Sequence, residues 1–250
     1  TKSLIDTSAV AEVMFSYGTT YFIVVDGNYN AVTEISTKIK IFKKEGLKYA
    51  NVSFPLYNQR NKAEKMSITN AITYNLVNGK IEKSKLKSSE EFLITENENL
   101  KIKKIVLPNV KEGSIIEYKS KITTPFIWNL NTWNFQLSIP VLASVYKFTP
   151  VEEIRYQHFI KGFYQVDVVN NSTHFLYKLS NIKPIKEEAW VNNIENYRSS
   201  LRLEISQYEK SSGLINSVSD SWDSLVKNIF KGEFGEELNR TRYFNDDLKS

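Results

Sequence analysis

Alternation with a period of two constrains this chain more than any other feature. Trp133, Phe135, Leu137, Ile139 and Val141 are separated by Asn134, Gln136, Ser138 and Pro140, after Thr132. Side chains that alternate in this way point to opposite faces of a pleated strand, so one face is apolar and the other wet. Pro140 marks a strand end or an edge position, because it cannot donate to a ladder. Further strands read as Thr20–Val25, Ala31–Phe42, Ile72–Val77, Lys80–Leu86, Ser114–Ile122, Ala143–Phe148, Tyr164–Val169, Thr173–Leu179 and Leu201–Tyr208. Asn78-Gly79 predicts a type I′ hairpin in which Leu76 faces Ile81. Asp26-Gly27, Glu45-Gly46, Lys111-Glu112-Gly113 and Asn170-Asn171-Ser172 are turn signals. Many short strands with few helical stretches between them predict a mainly β, antiparallel sandwich. Parallel βαβ wrapping lacks its crossover helices.

The period changes near residue 220. Trp222, Leu225, Val226, Ile229 and Phe230 form one amphipathic stripe, with Asp220 as N-cap, Ser219 and Ser221 as its competitors, and Gly232 as its end. The expected organisation is therefore a β module over residues 1–215 and a helical segment over 216–250. No apolar run approaches the ~18–20 residues that a membrane-spanning helix needs.

Chemistry is sparse in the residues. The 250-residue chain has no Cys, which removes disulfides, cysteine-ligated zinc and a thiol nucleophile from it. Its two histidines, His158 and His174, flank no Gly-x-Ser-x-Gly elbow, so a Ser–His–acid set does not assemble from the pattern. Asp26-Gly27-Asn28-Tyr29-Asn30 opens like a calcium loop, but Ala31 stands where the loop needs Gly and Thr37 where it needs Glu. A strand-connecting turn accounts for the same residues. Adjacent carboxylates such as Glu90-Glu91, Glu152-Glu153 and Glu187-Glu188 point to opposite strand faces and read as solvated surface. The formal charge of +5 comes with lysines grouped at 38–44, 80–87 and 101–104. Lys38 and Lys40 alternate with Ile39 and Ile41, as on a solvated strand face, and nucleic-acid binding is not expected. No cofactor and no metal is expected. The aromatics remain: Trp128, Trp190, Tyr197 and Trp222 are the candidate ligand or interdomain contacts, since exposed large aromatics mark interfaces and stacking sites.

Several stretches, taken in order, resemble a bacterial family. They are Ile39-Lys40-Ile41-Phe42-Lys43-Lys44-Glu45-Gly46-Leu47, then Ala71-Ile72-Thr73-Tyr74-Asn75-Leu76 with Asn78-Gly79-Lys80. The strongest is Leu107-Pro108-Asn109-Val110-Lys111-Glu112-Gly113-Ser114-Ile115-Ile116-Glu117-Tyr118. Trp133-Asn134-Phe135-Gln136, Ile139-Pro140-Val141 and Lys186-Glu187-Glu188 follow. The ordered set, over about residues 10–235, resembles the N-terminal domain of unknown function (DUF3857) that precedes a transglutaminase-like domain in many bacterial proteins. That resemblance implies an exported, periplasmic or extracellular protein. It also implies a β-sandwich similar to the N-terminal supersandwich of aminopeptidase N-type peptidases, and an intramolecular transglutaminase-like (papain-like fold) partner. Transglutaminase-like domains use Cys, His and Asp, so no catalytic residue transfers here. The expected function is that of a non-catalytic accessory domain that packs against, or presents ligands to, that partner. The alternative is an extracellular glycan- or peptide-binding module.

Overall fold

In a computed structural model of the chain, the described residues are 2–59, 61–186, 190–209 and 215–217, with 223, 226, 227 and 230. The protein is mostly β. Its strands are β1 (Ala11–Val25), β2 (Asn28–Ile41), β3 (Asn51–Gln59), β4 (Lys62–Ala63), β5 (Lys65–Val77), β6 (Lys80–Lys85), β7 (Glu91–Asn97) and β8 (Leu100–Val106). They continue as β9 (Ile115–Thr124), β10 (Trp133–Asn134), β11 (Val141–Phe148), β12 (Ile154–Lys161), β13 (Asp167–Asn170), β14 (Phe175–Ile182), β15 (Ser200–Glu209) and β16 (Ile215–Ser217). Asp223, Val226, Lys227 and Phe230 are helical; the rest of the expected C-terminal stripe, Trp222 included, lies outside the described residues. None of the helices among the described residues is long and apolar enough to cross a membrane.

The chain divides into two compact units. The first, residues 1–150 with 158–203, holds an eight-stranded sheet in the order β13-β14-β11-β1-β2-β9-β5-β6 and a four-stranded sheet in the order β4-β3-β8-β7. Antiparallel hairpins build most of the large sheet. β1 and β2 join through Asp26 and Gly27, β5 and β6 through Asn78 and Gly79, and all four residues have positive φ (49°, 74°, 50° and 77°). That is the backbone a two-residue type I′ loop requires, and Asn, Asp and Gly tolerate it best. The Asp26–Asn30 stretch is thus a turn running into β2. Leu76 pairs with Ile81 as expected, although both side chains are exposed.

One ladder departs from the antiparallel rule: β1 runs parallel to β11, Val13 opposite Val141 and Thr20 opposite Phe148. Among the described residues no α-helix makes the crossover; the run from β2 to β10, which includes short 3-10 turns at Lys44–Ala50 and Ser88–Glu90, forms the connection. The core is lined by Ala11, Val13, Ala31, Ile41, Ile116, Val141, Phe148, Tyr177 and Ile182, all at most 1% exposed. Phe54 of β3 meets Tyr118 of β9 edge to face at 6.2 Å, linking the small sheet to the large one.

The most regular alternation in the sequence is not a long strand. Only Trp133 and Asn134 join a ladder, opposite Leu201 and Ser200. From Phe135 onward other bonds hold the segment: Phe135 N and Gln136 N donate to Ser199 O, and Ile185 N donates to Leu137 O. Gln136 donates through Nε2 to Lys183 O at 3.1 Å and accepts from Ser199 N at 3.2 Å. Trp133, Phe135 and Ile139 are buried, but so are Gln136 and Pro140, while Leu137 is half-buried, so the apolar alternation is not matched by alternating burial. Conversely β3 escapes detection because Pro55 interrupts it. β4 covers only Asn58 and Gln59, so Pro55 sits where β3 has a single neighbour and loses no ladder bond.

The second unit, residues 151–157 with 204–250, holds the start of β12, the end of β15 and β16. Gln207–Glu209 pair with Ile215–Ser217, Glu209 N donates to Glu153 O at 2.8 Å, and Ser206 Oγ donates to Arg155 O at 3.2 Å.

Candidate functional site

The stretch that carried the strongest resemblance is structural. Gly113 takes φ 84° and Asn109 φ 55°, so the segment after β8 folds back on itself. Asn75 of β5 clamps it, donating to Asn109 O at 2.9 Å and accepting from Ser114 Oγ at 2.5 Å. Lys40 Nζ donates to Gly113 O at 2.6 Å, and burial lowers its pKa. These residues fix the β8–β9 corner against β2 and β5.

A groove opens elsewhere in the first unit. Its volume is about 860 Å³, and Tyr57, Asn58, Gln59, Asn61, Lys62, Glu64, Asn99, Pro125, Phe126, Trp128 and Asn129 line it. One wall is the β3–β4 hairpin, locked by Tyr57 N donating to Glu64 Oε2 at 2.8 Å and Glu64 N to Tyr57 O at 2.9 Å. The β7–β8 turn braces that hairpin, with Asn58 N donating to Asn99 O at 2.9 Å and Asn58 Nδ2 to Glu98 O at 3.1 Å. The other wall is the turn after β9, closed by Phe126 N donating to Thr124 Oγ1 and Asn129 N to Phe126 O. Both walls are hydrogen-bonded turns, so the groove is pre-formed.

Trp128, expected as a ligand or interdomain contact, is 52% exposed in this groove. Tyr57, on the facing wall, was invisible to sequence reasoning because β3 itself was. Trp190 is fully exposed and holds φ 73°, an unusual backbone for a bulky residue. Tyr197 is half-exposed and stacks on Phe163 at 6.4 Å with the rings 12° from parallel; Phe163 is 83% exposed. Tyr197 and Phe163 form one aromatic cluster, distinct from the residues lining the Trp128 groove.

The two histidines have structural surroundings. His174 sits in the β13–β14 turn, bonded to Asn171 and Thr173. His158 packs edge-on against Phe175 at 4.4 Å and Phe148 at 5.9 Å, and its Nδ1 bonds the Tyr177 hydroxyl. Burial pushes Tyr146 up to about 12 and raises Tyr177 too, with the neighbouring Tyr146 adding to the latter. Tyr146 OH donates to Thr20 Oγ1 at 2.7 Å, which bonds Thr33 Oγ1 at 2.8 Å. Burial lowers the His158 pKa, so the fold holds the neutral ring. Its contribution is complete above the unfolded value of about 6.5 and declines as pH falls through it, because the unfolded chain takes up a proton that the native ring resists. The urea midpoint is expected to drop between pH 8 and pH 5.5 in the native sequence and to drop less in His158→Phe. Equal drops would assign the pH effect to other groups.

A second cavity, about 500 Å³, is lined by Tyr49, Tyr118, Trp133, Arg198 and their neighbours. Arg198 there is committed, pairing with Glu195 at 2.5 Å and donating to Gln136 O at 2.7 Å. The Arg198 hydrogen bond holds the Glu195 carboxyl below its usual range. The lysine groups are dispersed as well: Lys38 pairs with Glu117 at 3.1 Å on the large sheet, and Lys103 with Glu91 at 2.6 Å on the small one.

A family model described as "Domain of Unknown Function with solved-structure structure (DUF3857)" matches residues 27–186. Among solved structures, the chain is similar to one titled "a putative protease from Parabacteroides distasonis ATCC 8503". The TM-score is 0.66 at 16% identity, over 79% of this chain and 41% of that one. It also matches yeast LTA4 hydrolase in complex with bestatin at a TM-score of 0.38 and 8% identity, over 79% of this chain and 29% of that one. The chain spans less than half the length of either structure. No curated protein matches it in sequence. The first structural likeness, at 16% identity, concerns the fold alone: a β-rich sandwich type.

Proposed function

We propose, from the premise that this chain belongs to the DUF3857 family, that it is a non-catalytic β-sandwich module working in cis beside a transglutaminase-like domain. The polypeptide would be exported, to the periplasm or the cell exterior. The observation that carries this reading is the length relation: the same fold occupies 41% of a longer solved chain, as a module within a larger protein does.

Two features support it. The chain contributes no Cys, so a transglutaminase-like Cys–His–Asp site has to come from other residues of the polypeptide. The exposed Phe163–Tyr197 stack offers a rigid aromatic surface of the kind that interdomain contacts bury.

The reading is tested by the reading frame and by stability. It expects a transglutaminase-like domain in the same polypeptide. In that two-domain protein, Phe163→Ser with Tyr197→Ser is expected to lower the melting temperature of the pair by several degrees. The same changes are expected to leave the isolated module within about 2 °C, as exposed substitutions do. A frame without such a domain, or a double variant that melts with the parent in both settings, overturns it.

A further inference from the structure

We propose that the Tyr57–Trp128 groove is a binding site for a short, uncharged oligosaccharide. The inference does not depend on the cis-accessory reading, because the groove and the Phe163–Tyr197 stack share no residue.

Three properties of the lining point to this ligand class. First, aromatic side chains stand on both walls, Tyr57 on one and Phe126 and Trp128 on the other. Flat aromatic faces complement the C–H faces of pyranose rings, which are apolar patches on an otherwise hydroxylated molecule. Second, the polar lining is dominated by side-chain amides: Asn58, Gln59, Asn61, Asn99 and Asn129. A carboxamide carries two donors and an acceptor, so it can satisfy a sugar hydroxyl in either role. The side chains of Gln59, Asn61 and Asn129 form no hydrogen bond with another described residue, whereas Asn58 and Asn99 are tied into the wall. Two of the amides thus bond within the wall, and three lining amides keep their hydrogen-bonding capacity for a ligand. Third, the charged lining residues described are Lys62 and Glu64, of opposite sign, and Glu64 is engaged by the backbone N–H of Tyr57. Among the described lining residues the two formal charges offset each other.

The volume falls within the ~300–1,000 Å³ range of small-ligand clefts. An extended peptide is the competing occupant, and it would need a sheet edge to pair with. The edges here are poor templates: β4 is only Lys62–Ala63, and along the open edge of β3 Pro55 has no N–H to donate to an added strand.

The test is calorimetric titration of the 250-residue chain with cellotetraose, maltotetraose, tetra-N-acetylchitotetraose and mannotetraose, and separately with an uncharged, end-capped alternating Ala-Val hexapeptide. Saturable heat is expected with at least one sugar. Trp128→Ala and Tyr57→Ala are each expected to weaken it about tenfold or more, the scale of one lost stacking surface. Trp190→Ala is expected to leave it unchanged. Thermal melts of all three variants should match the parent and show that binding, not folding, was altered. Silence with all four sugars overturns the proposal. So does sugar binding indifferent to both groove variants, or binding of the hexapeptide alone.

Discussion

Gly162→Ala is expected to cost more than about 3 kcal/mol, combining left-handed backbone strain with overpacking against main chain. Gly162 has φ 99°, and an added Cβ would lie 2.7 Å from Ser199 N and closer still to Ser199 Cα and Oγ. Ser199 cannot retreat. Its carbonyl accepts from Phe135 N and Gln136 N, its N–H donates to Gln136 Oε1, and it is fully buried. Two contrasts isolate the cause. Gly27 also has positive φ, but open space surrounds its Cβ position, so Gly27→Ala should cost only ~1–2 kcal/mol. Adding Ser199→Gly to Gly162→Ala should rescue little, because the obstructing N and Cα remain. Denaturant unfolding of the variants decides it. Equal losses at positions 27 and 162, or full rescue by Ser199→Gly, would refute the backbone-contact account.

Trp133→Ala is expected to cost about 3–5 kcal/mol, as for other large aromatic truncations in a core. Trp133 stacks on Tyr146 at 5.0 Å, donates through Nε1 to Ser144 Oγ at 3.1 Å, and fills the space above Gly18. A Cβ on Gly18 would lie 2.9 Å from the indole Cη2 and 2.9 Å from Tyr146 Cδ2. Gly18→Ala alone should therefore cost ~1–3 kcal/mol by overpacking. In a Trp133→Leu background it should cost at least ~1 kcal/mol less, since the nearer of the two obstructing rings is gone and only Tyr146 remains. A double-mutant cycle by urea unfolding measures the coupling; strict additivity would show that Gly18 does not exist to admit the indole.

These positions also show what local pattern can and cannot convey. Asp26-Gly27 and Asn78-Gly79 were readable because a two-residue hairpin needs particular residues at particular φ. The alternation around Ile39 and Ile41 was readable because Lys38 and Lys40 stay at the surface side of β2 while the isoleucines are buried. By contrast, Trp133–Val141 alternates in sequence without being a strand: after Asn134 the segment leaves the ladder, and Gln136 and Pro140 are buried alongside Phe135 and Ile139. β7 and β8 hid behind their lysines and exposed apolar residues: Phe92, Leu93 and Ile94 are all exposed on the edge strand of a small sheet, so no face pattern emerges.

The groove was half legible. Trp128 stood out as a tryptophan in an irregular stretch, but nothing local names Tyr57 as its counterpart across the cleft. Only the placement of the β3–β4 hairpin beside the turn after β9 brings them together. Gly162, Ser199 and Gln136 are likewise a junction of three distant segments, beyond the reach of periodicity.

The parallel ladder between β1 and β11 also sets a timetable for biosynthesis. A nascent chain emerging from the ribosome can close β1 on β2 at once, but the other side of β1 waits for Val141–Phe148 to be translated. At about 5–20 residues per second, that long strand edge stays open for roughly 6–25 s. During that window Val13 to Thr20 present unpaired amides and carbonyls to any passing polypeptide, which makes this the interval in which a holdase chaperone matters most to the yield of native protein.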